Sequence, residues 1–232
     1  MIKNIKIKYK IIKEIDNSYE ILLNQKKFMT PAGNILKIPT NIMANIIVKD
    51  IKKDKGDKQV SALKITNTAI DKISKNKKEY ISNIVNSIHS DTICFFAFCQ
   101  TGLYKEQKKF WMPLLLWMKK FYKLDIKYSS NLKLAQQNKK DIENLTNLIN
   151  GYNVFELSAL ITLIKLTNSL IISLALFESK ISAKIAFKLS FLEELYQASL
   201  WGKDKEAFER LDSIKLDIKS VKDYFIAIKN NN

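Results

Sequence analysis

The spacing of apolar residues in this chain changes once, near Asn41, and that change constrains its architecture more than any other feature. Before it, Ile5, Ile7, Tyr9 and Ile11 alternate with lysines, a period of two that turns one face of a strand inward. Tyr19 to Leu23 and Lys26 to Met29 read as further strands around Asn24-Gln25, a hairpin turn without the usual glycine. Thr30-Pro31-Ala32-Gly33 then turns the chain toward a strand at Ile35 to Ile38, which Pro39 ends, and Thr40 is placed to cap a helix.

After Asn41 the period is helical. Ile42, Ile46 and Ile47 mark the buried face of the first helix, and the lysine-rich stretch Lys49 to Lys58 reads as a hinge. Ile70, Ile73, Tyr80, Ile84 and Ile88 predict one long amphipathic rod ending near His89. Leu103 to Phe110 and Pro113 to Tyr122 are expected as two helices split at Pro113. Asp125 to Tyr128 forms an extended link, and Asp141 to Ile149 forms a helix that Gly151 ends in a left-handed conformation.

Phe155 to Leu166 and Ser169 to Phe177 are apolar around most of their circumference, as the central helices of a bundle are. Ile185, Leu189, Leu192 and Tyr196 form the stripe of a helix closing at Trp201-Gly202. The last helix runs from Asp204 with Phe208, Leu211, Ile218, Val221 and Phe225 inward. Five glycines and three prolines in 232 residues are too few for a turn-rich all-β domain. The expected fold is therefore α+β: a small β-rich domain of strands plus one helix over residues 1–60, then a larger helical bundle over 61–232.

Thirty-nine basic against 23 acidic residues give a formal charge of +16, which attracts anionic partners. Arg210 is the sole arginine, however, so the guanidinium forks that read guanine edges and phosphates are missing, and Lys49 to Lys58 has no interleaved aromatics to stack bases. A lysine-coated solvated surface is the simpler reading. Two cysteines suit a reducing compartment. Met1 to Tyr9 reads as a strand rather than a secretory leader, and Leu157 to Phe177 carries Lys165, Thr167, Asn168 and Ser169 at its centre, unlike a membrane span.

Catalysis needs a nucleophile beside a base, paired carboxylates or a metal, and His89 is the only histidine. His89, Asp91, Cys94 and Cys99 match no zinc spacing, and both thiols sit among Ile93, Phe95, Phe96 and Phe98, so buried free thiols are expected. No glycine-rich phosphate loop is present. No enzyme, cofactor or metal is expected. Trp111 and Trp117 fall within apolar helical patterns and read as core. Trp201, at a helix end after Glu193-Glu194, reads less clearly: the carboxylate pair is either a solvated helix face or a polar contact with a partner.

Six further segments stand in a fixed order. They are Thr30-Pro31 with Ile38-Pro39-Thr40, Asn67-Thr68-Ala69-Ile70-Asp71, Asp91-Thr92-Ile93-Cys94, the run from Gln107 to Trp117, Leu166-Thr167-Asn168-Ser169-Leu170, and Glu193-Glu194-Leu195-Tyr196-Gln197 ahead of Trp201-Gly202. In this order the chain resembles the ATP-twelve family, assembly chaperones for the catalytic head of the F-type ATP synthase. The resemblance implies that the helical bundle is orthogonal. It also implies that the protein binds the free α subunit of that head, shielding a surface the β subunit later covers, without hydrolysing nucleotide.

Glu193 stands where the family carries an acidic residue tied to function, with Glu194, Gln197 and Trp201 alongside as candidate partner contacts. Three positions depart from the pattern. Ile47-Val48-Lys49-Asp50-Ile51 replaces a Glu-Trp-Asp segment, Asn24-Gln25 an Asp-Gly hairpin, and Asn168 a glycine. A monomer in a bacterial cytoplasm is expected rather than a mitochondrial matrix protein, with no nucleic-acid partner and no stable membrane insertion. The competing reading is a basic nucleic-acid or membrane-surface binding module.

Overall fold

The computed structural model describes residues 8–53, 60–130, 135–202 and 204–230. Strands β1 (Tyr9–Lys13), β2 (Tyr19–Leu23) and β3 (Lys26–Lys27) form an antiparallel meander in chain order, with Tyr9 opposite Leu23, Lys13 opposite Tyr19 and Leu22 opposite Lys27. Ile5 and Ile7 lie outside the described residues. The expected strand at Ile35 to Ile38 is reduced to two isolated bridges, Met29 with Ile35 and Tyr19 with Ile38.

Asn24 and Gln25 turn the hairpin with φ of 48° and 69°, the positive values a two-residue turn between right-twisted strands requires. Asparagine tolerates this region, but glutamine pays for it in Cβ strain. Gln25→Gly is expected to raise stability by about 1 kcal/mol, read as a higher urea midpoint.

Among the described residues ten α-helices follow: α1 (Asn41–Lys53), α2 (Ala62–Thr68), α3 (Lys77–Asn86), α4 (Gly102–Tyr122), α5 (Lys139–Asn150), α6 (Val154–Thr167), α7 (Leu170–Phe177), α8 (Ala183–Ser190), α9 (Leu192–Trp201) and α10 (Lys205–Lys229). All eight residues of α7 are buried, and α6 lies against α2, α7 and α10. Phe177 meets Phe225 and Tyr152 edge-on, with ring centroids 4.3 and 4.7 Å away.

Five expectations are corrected where tertiary contacts override local pattern. The buried face of α1 is Met43, Ala44, Ile47 and Val48, while Ile42 is exposed, because the i, i+4 pairs Met43–Ile47 and Ala44–Val48 face the core. The long rod is interrupted: α2 passes into a π-helical turn at Ala69–Ile73, with Ser74 N–H donating to the Ala69 carbonyl at 3.0 Å, before α3 starts. Conversely, α4 runs unbroken through Pro113. That proline is exposed while Trp111, Leu114, Leu115 and Met118 are buried, so packing holds the two halves in line. The single helix expected from Ile185 to Tyr196 is two, broken at Phe191, whose backbone (φ −111°, ψ 26°) leaves the helix as its ring packs 5.3 Å from that of Phe187. Ile185 is consequently exposed, and Gly151 ends α5 at φ −67°, not in the left-handed region.

Several of the six segments meet other parts of the fold in space. Asp71 accepts from Thr30 Oγ1 at 2.6 Å, Asn34 Nδ2 at 2.7 Å and Ala32 N–H at 3.2 Å, fastening the Thr30–Asn34 turn to the π-helical turn after α2. Burial pushes the Asp71 carboxyl up, but these donors outweigh it and hold it below the usual range. Thr40 caps α1 at Met43 N–H and donates its hydroxyl to the Ala227 carbonyl of α10 at 2.6 Å. Ile21, Leu36 and Ile38 are fully buried in the same apolar cluster as the helices.

The third junction sits at the α6–α7 corner. Asn168 takes the left-handed conformation there (φ 51°), which explains why it can stand in for glycine. Its carbonyl accepts from Thr92 N–H and Oγ1, at 3.0 and 2.9 Å. The buried Asp91 carboxylate accepts from Ile93 N–H at 3.1 Å and Ile171 N–H at 3.0 Å, so it caps the turn at Thr92 and the start of α7 together.

Candidate partner interface

Helix α9 carries all four candidate contact residues, and none of its ten residues is fully buried. It rests on the first turns of α4. Gly102 makes that approach possible: a methyl group there would lie 2.2 Å from the Tyr196 hydroxyl. Between the two helices runs a cleft of about 550 Å³ lined by Gly102, Lys105, Glu106, Leu195, Tyr196 and Ser199 among others.

The carboxylate pair of α9 is divided between two partners. Glu193 Oε1 accepts from Gln107 Nε2 at 2.6 Å, and Gln107, fully buried on α4, accepts in turn from Ala97 N–H at 2.7 Å. Burial pushes the Glu193 carboxyl above its ordinary range, and the Gln107 bond opposes that shift. Glu193 remains exposed at the surface while one of its oxygens is fixed from below. Glu194 holds Arg210 through both oxygens at 2.6 and 2.8 Å, and the guanidinium lies 5.9 Å from the Phe191 ring centroid. That pair ties α9 to α10, but it is solvated and stabilises by about 1 kcal/mol at most.

Gln197 is exposed, and Trp201 at the end of α9 is 80% exposed next to Leu200 at 58%. Trp111 and Trp117, by contrast, are core. Trp111 is fully buried and donates its indole N–H to the Leu189 carbonyl at 3.0 Å, joining α4 to α8; Trp117 meets Tyr122 edge-on at 5.2 Å. The structure thus gathers Glu193, Glu194, Gln197 and Trp201 on one helix and separates them from the other tryptophans.

Gln107 is the residue that sequence reasoning left out of the site. A glutamine one turn before Trp111 on an otherwise apolar face was the available signal, since a buried amide requires partners. Phe98 stands 65% exposed in the loop that Gln107 anchors through Ala97.

Cys94 is buried, and burial drives its thiol upward, away from the thiolate. Cys99 corrects the expectation of two buried thiols: it is exposed and donates to Ser130 Oγ at 3.4 Å, because the loop carrying it turns outward at Gln100 (φ 76°). Among the described residues no three His, Cys, Asp or Glu side chains gather as a metal site, and no helix is long and apolar enough to cross a membrane.

The family model described as ATP12 chaperone protein matches residues 3–119, just over half of the chain. The chain belongs to the ATP12 chaperone family. Its fold is also that of solved structures. This ATP12-family protein superposes on the Atu1473 protein of Agrobacterium tumefaciens with a TM-score of 0.87 at 25% identity, covering 95% of this chain and 84% of that one. Atp12 from Paracoccus denitrificans gives a TM-score of 0.85 at 23% identity, over 95% and 96% of the two chains. A mutant of the same Paracoccus protein gives the same score and identity over 95% of each. The ATP12-family fold is thus α+β, a small antiparallel sheet followed by helices.

Proposed function

We propose that this protein is a non-enzymatic assembly chaperone that holds the unassembled α subunit of the F-type ATP synthase head until the β subunit joins. It acts as a monomer in a bacterial cytoplasm, with residues 1–60 and 61–232 as its two units. The observation that carries this reading is the end of α9, where Trp201 and Leu200 stand exposed on the helix whose carboxylate Glu193 is fixed by a fully buried glutamine. Large apolar side chains presented beside a pre-positioned charge are the makings of a protein contact, because the carboxylate gives direction and the indole gives area.

An orphan subunit exposes an interface meant for burial, and such a patch aggregates unless something reversible covers it. The chaperone must therefore bind tightly enough to protect and yet yield to the larger native interface. Co-expression with the α and β subunits tests this. Soluble α should be recovered with the protein and released when β is supplied. If α aggregates to the same extent with and without the protein, the reading fails.

A further inference from the structure

The orientation of the Gln107 amide is decided by its two neighbours. Ala97 N–H, 2.7 Å away, can only donate, so it must face the amide oxygen, and the amide nitrogen is left to donate to Glu193 Oε1 at 2.6 Å. The side chain is fully buried, so losing either partner would strand a polar group away from water. The helix beneath it is held as well: Thr101 caps α4 at Tyr104 N–H, and Trp111, one turn beyond Gln107, is tied to the Leu189 carbonyl. One oxygen of Glu193 is therefore fixed, while Oε2 has no hydrogen-bond partner among the described residues.

The neighbouring carboxylate differs. Arg210 closes on both oxygens of Glu194, whereas no lysine or arginine among the described residues pairs with Glu193. Burial pushes Glu193 toward the neutral acid, and the Gln107 N–H draws it back toward the carboxylate. A docking protein would strip away more of its water, which is costly unless a cation takes the place of that water. We propose that Gln107 is a positioning residue that makes Glu193 the receptor for one basic side chain, a lysine or arginine, on the α subunit. This rests on the chaperone reading and names the chemistry that the α9 contact recognises. A formal charge of +16 opposes the approach of basic groups, so an unpaired and oriented carboxylate both attracts the cation and fixes where it lands.

A double-mutant cycle on binding to isolated α subunit tests the proposal. Gln107→Met keeps the side-chain length, removes both polar ends and should weaken binding about tenfold. On top of Glu193→Gln it should cost less than about twofold. Any damage to folding is common to both backgrounds, so an equal loss in each overturns the positioning role, as does parent-like binding by Gln107→Met. Glu193→Asp is an exposed second probe. Its carboxylate is a methylene too short to reach Gln107 and a partner together, so about a tenfold loss is expected despite the retained charge, and parent-like affinity overturns the proposal. Added salt should weaken the parent more steeply than Glu193→Gln, and equal slopes would exclude a basic counterpart. In the free protein, the carbon-13 resonance of the Glu193 carboxyl should titrate at higher pH in Gln107→Met than in the parent, because a donor to the charged form is gone. A titration that does not move overturns the positioning role without reference to any partner. A parent that captures no α subunit while that titration does move overturns instead the chaperone reading, and the basic counterpart with it.

Discussion

Asp91→Ala is expected to destabilise the protein by about 3 to 4 kcal/mol, the largest single effect outside the apolar core. The carboxylate is 1% exposed and accepts from Ile93 and Ile171 backbone N–H groups on two different elements. Alanine would leave both donors buried without an acceptor and would free the corner that Thr92 pins through Asn168. Asp91→Asn keeps one acceptor oxygen and should cost roughly half as much. A urea midpoint measures both, and a loss of less than about 1 kcal/mol for the alanine variant would show that the α6–α7 corner does not depend on this cap.

The same residue sets a pH window. Burial pushes the Asp91 carboxyl up to about 6 from an ordinary 3.8, against hydrogen bonds from Ser169, Ile171, Ile93 and Leu170. With the folded value above the unfolded one, the folded state takes up the proton first. The proton-linked part of this group's contribution is therefore fully present below 3.8 and is lost as pH rises through about 6, while the hydrogen bonds from Ile93 and Ile171 are kept in the ionised form. Asp91→Ala should remove that part of the pH dependence.

The second large effect concerns binding. Trp201→Ala is expected to weaken capture of the α subunit by about thirtyfold, the range of a buried aromatic hot spot, with an unchanged thermal midpoint because the indole is 80% exposed in the free protein. Glu193→Gln removes the charge while keeping an oxygen for Gln107 Nε2 to donate to, so its loss of affinity reports on the carboxylate alone. Glu193→Lys is a blunter probe. It sets an ammonium against the amide donor of Gln107 and adds a cost of about 1 to 2 kcal/mol to folding that must be measured beside the binding. Trp201→Ala or Glu193→Gln binding as the parent does would move the contact surface away from α9.

Much of the fold was legible because local chemistry and tertiary structure agree. Asn24-Gln25 turns a hairpin at the expected place, Thr40 caps α1, and the apolar run through α6 and α7 is the centre of the bundle. Where they disagree, a contact distant in sequence decided. Pro113 lies inside a continuous helix because its neighbours are anchored in the core, and Phe191 breaks a helix to bury its ring. The same distinction runs through the site. Glu193 could be named from the resemblance, but its partner Gln107 is 86 positions away, and no periodicity reports that distance. Nor does an indole's position in a sequence reveal whether it faces core or solvent: Trp111 is fully buried and Trp201 is 80% exposed.

The six segments also divide by role once they are seen in space. Thr30 with Asp71, Thr40 with α10, and Asp91 with the start of α7 are fold contacts that hold the turns and corners. On α9 Trp201 and its neighbour Leu200 stand exposed, and the chaperone reading rests there. Its most direct test mixes the purified protein with isolated α subunit and follows the pair by size-exclusion chromatography. The predicted result is a joint peak that disappears when β subunit is added; α subunit eluting or aggregating as though the protein were absent would contradict it.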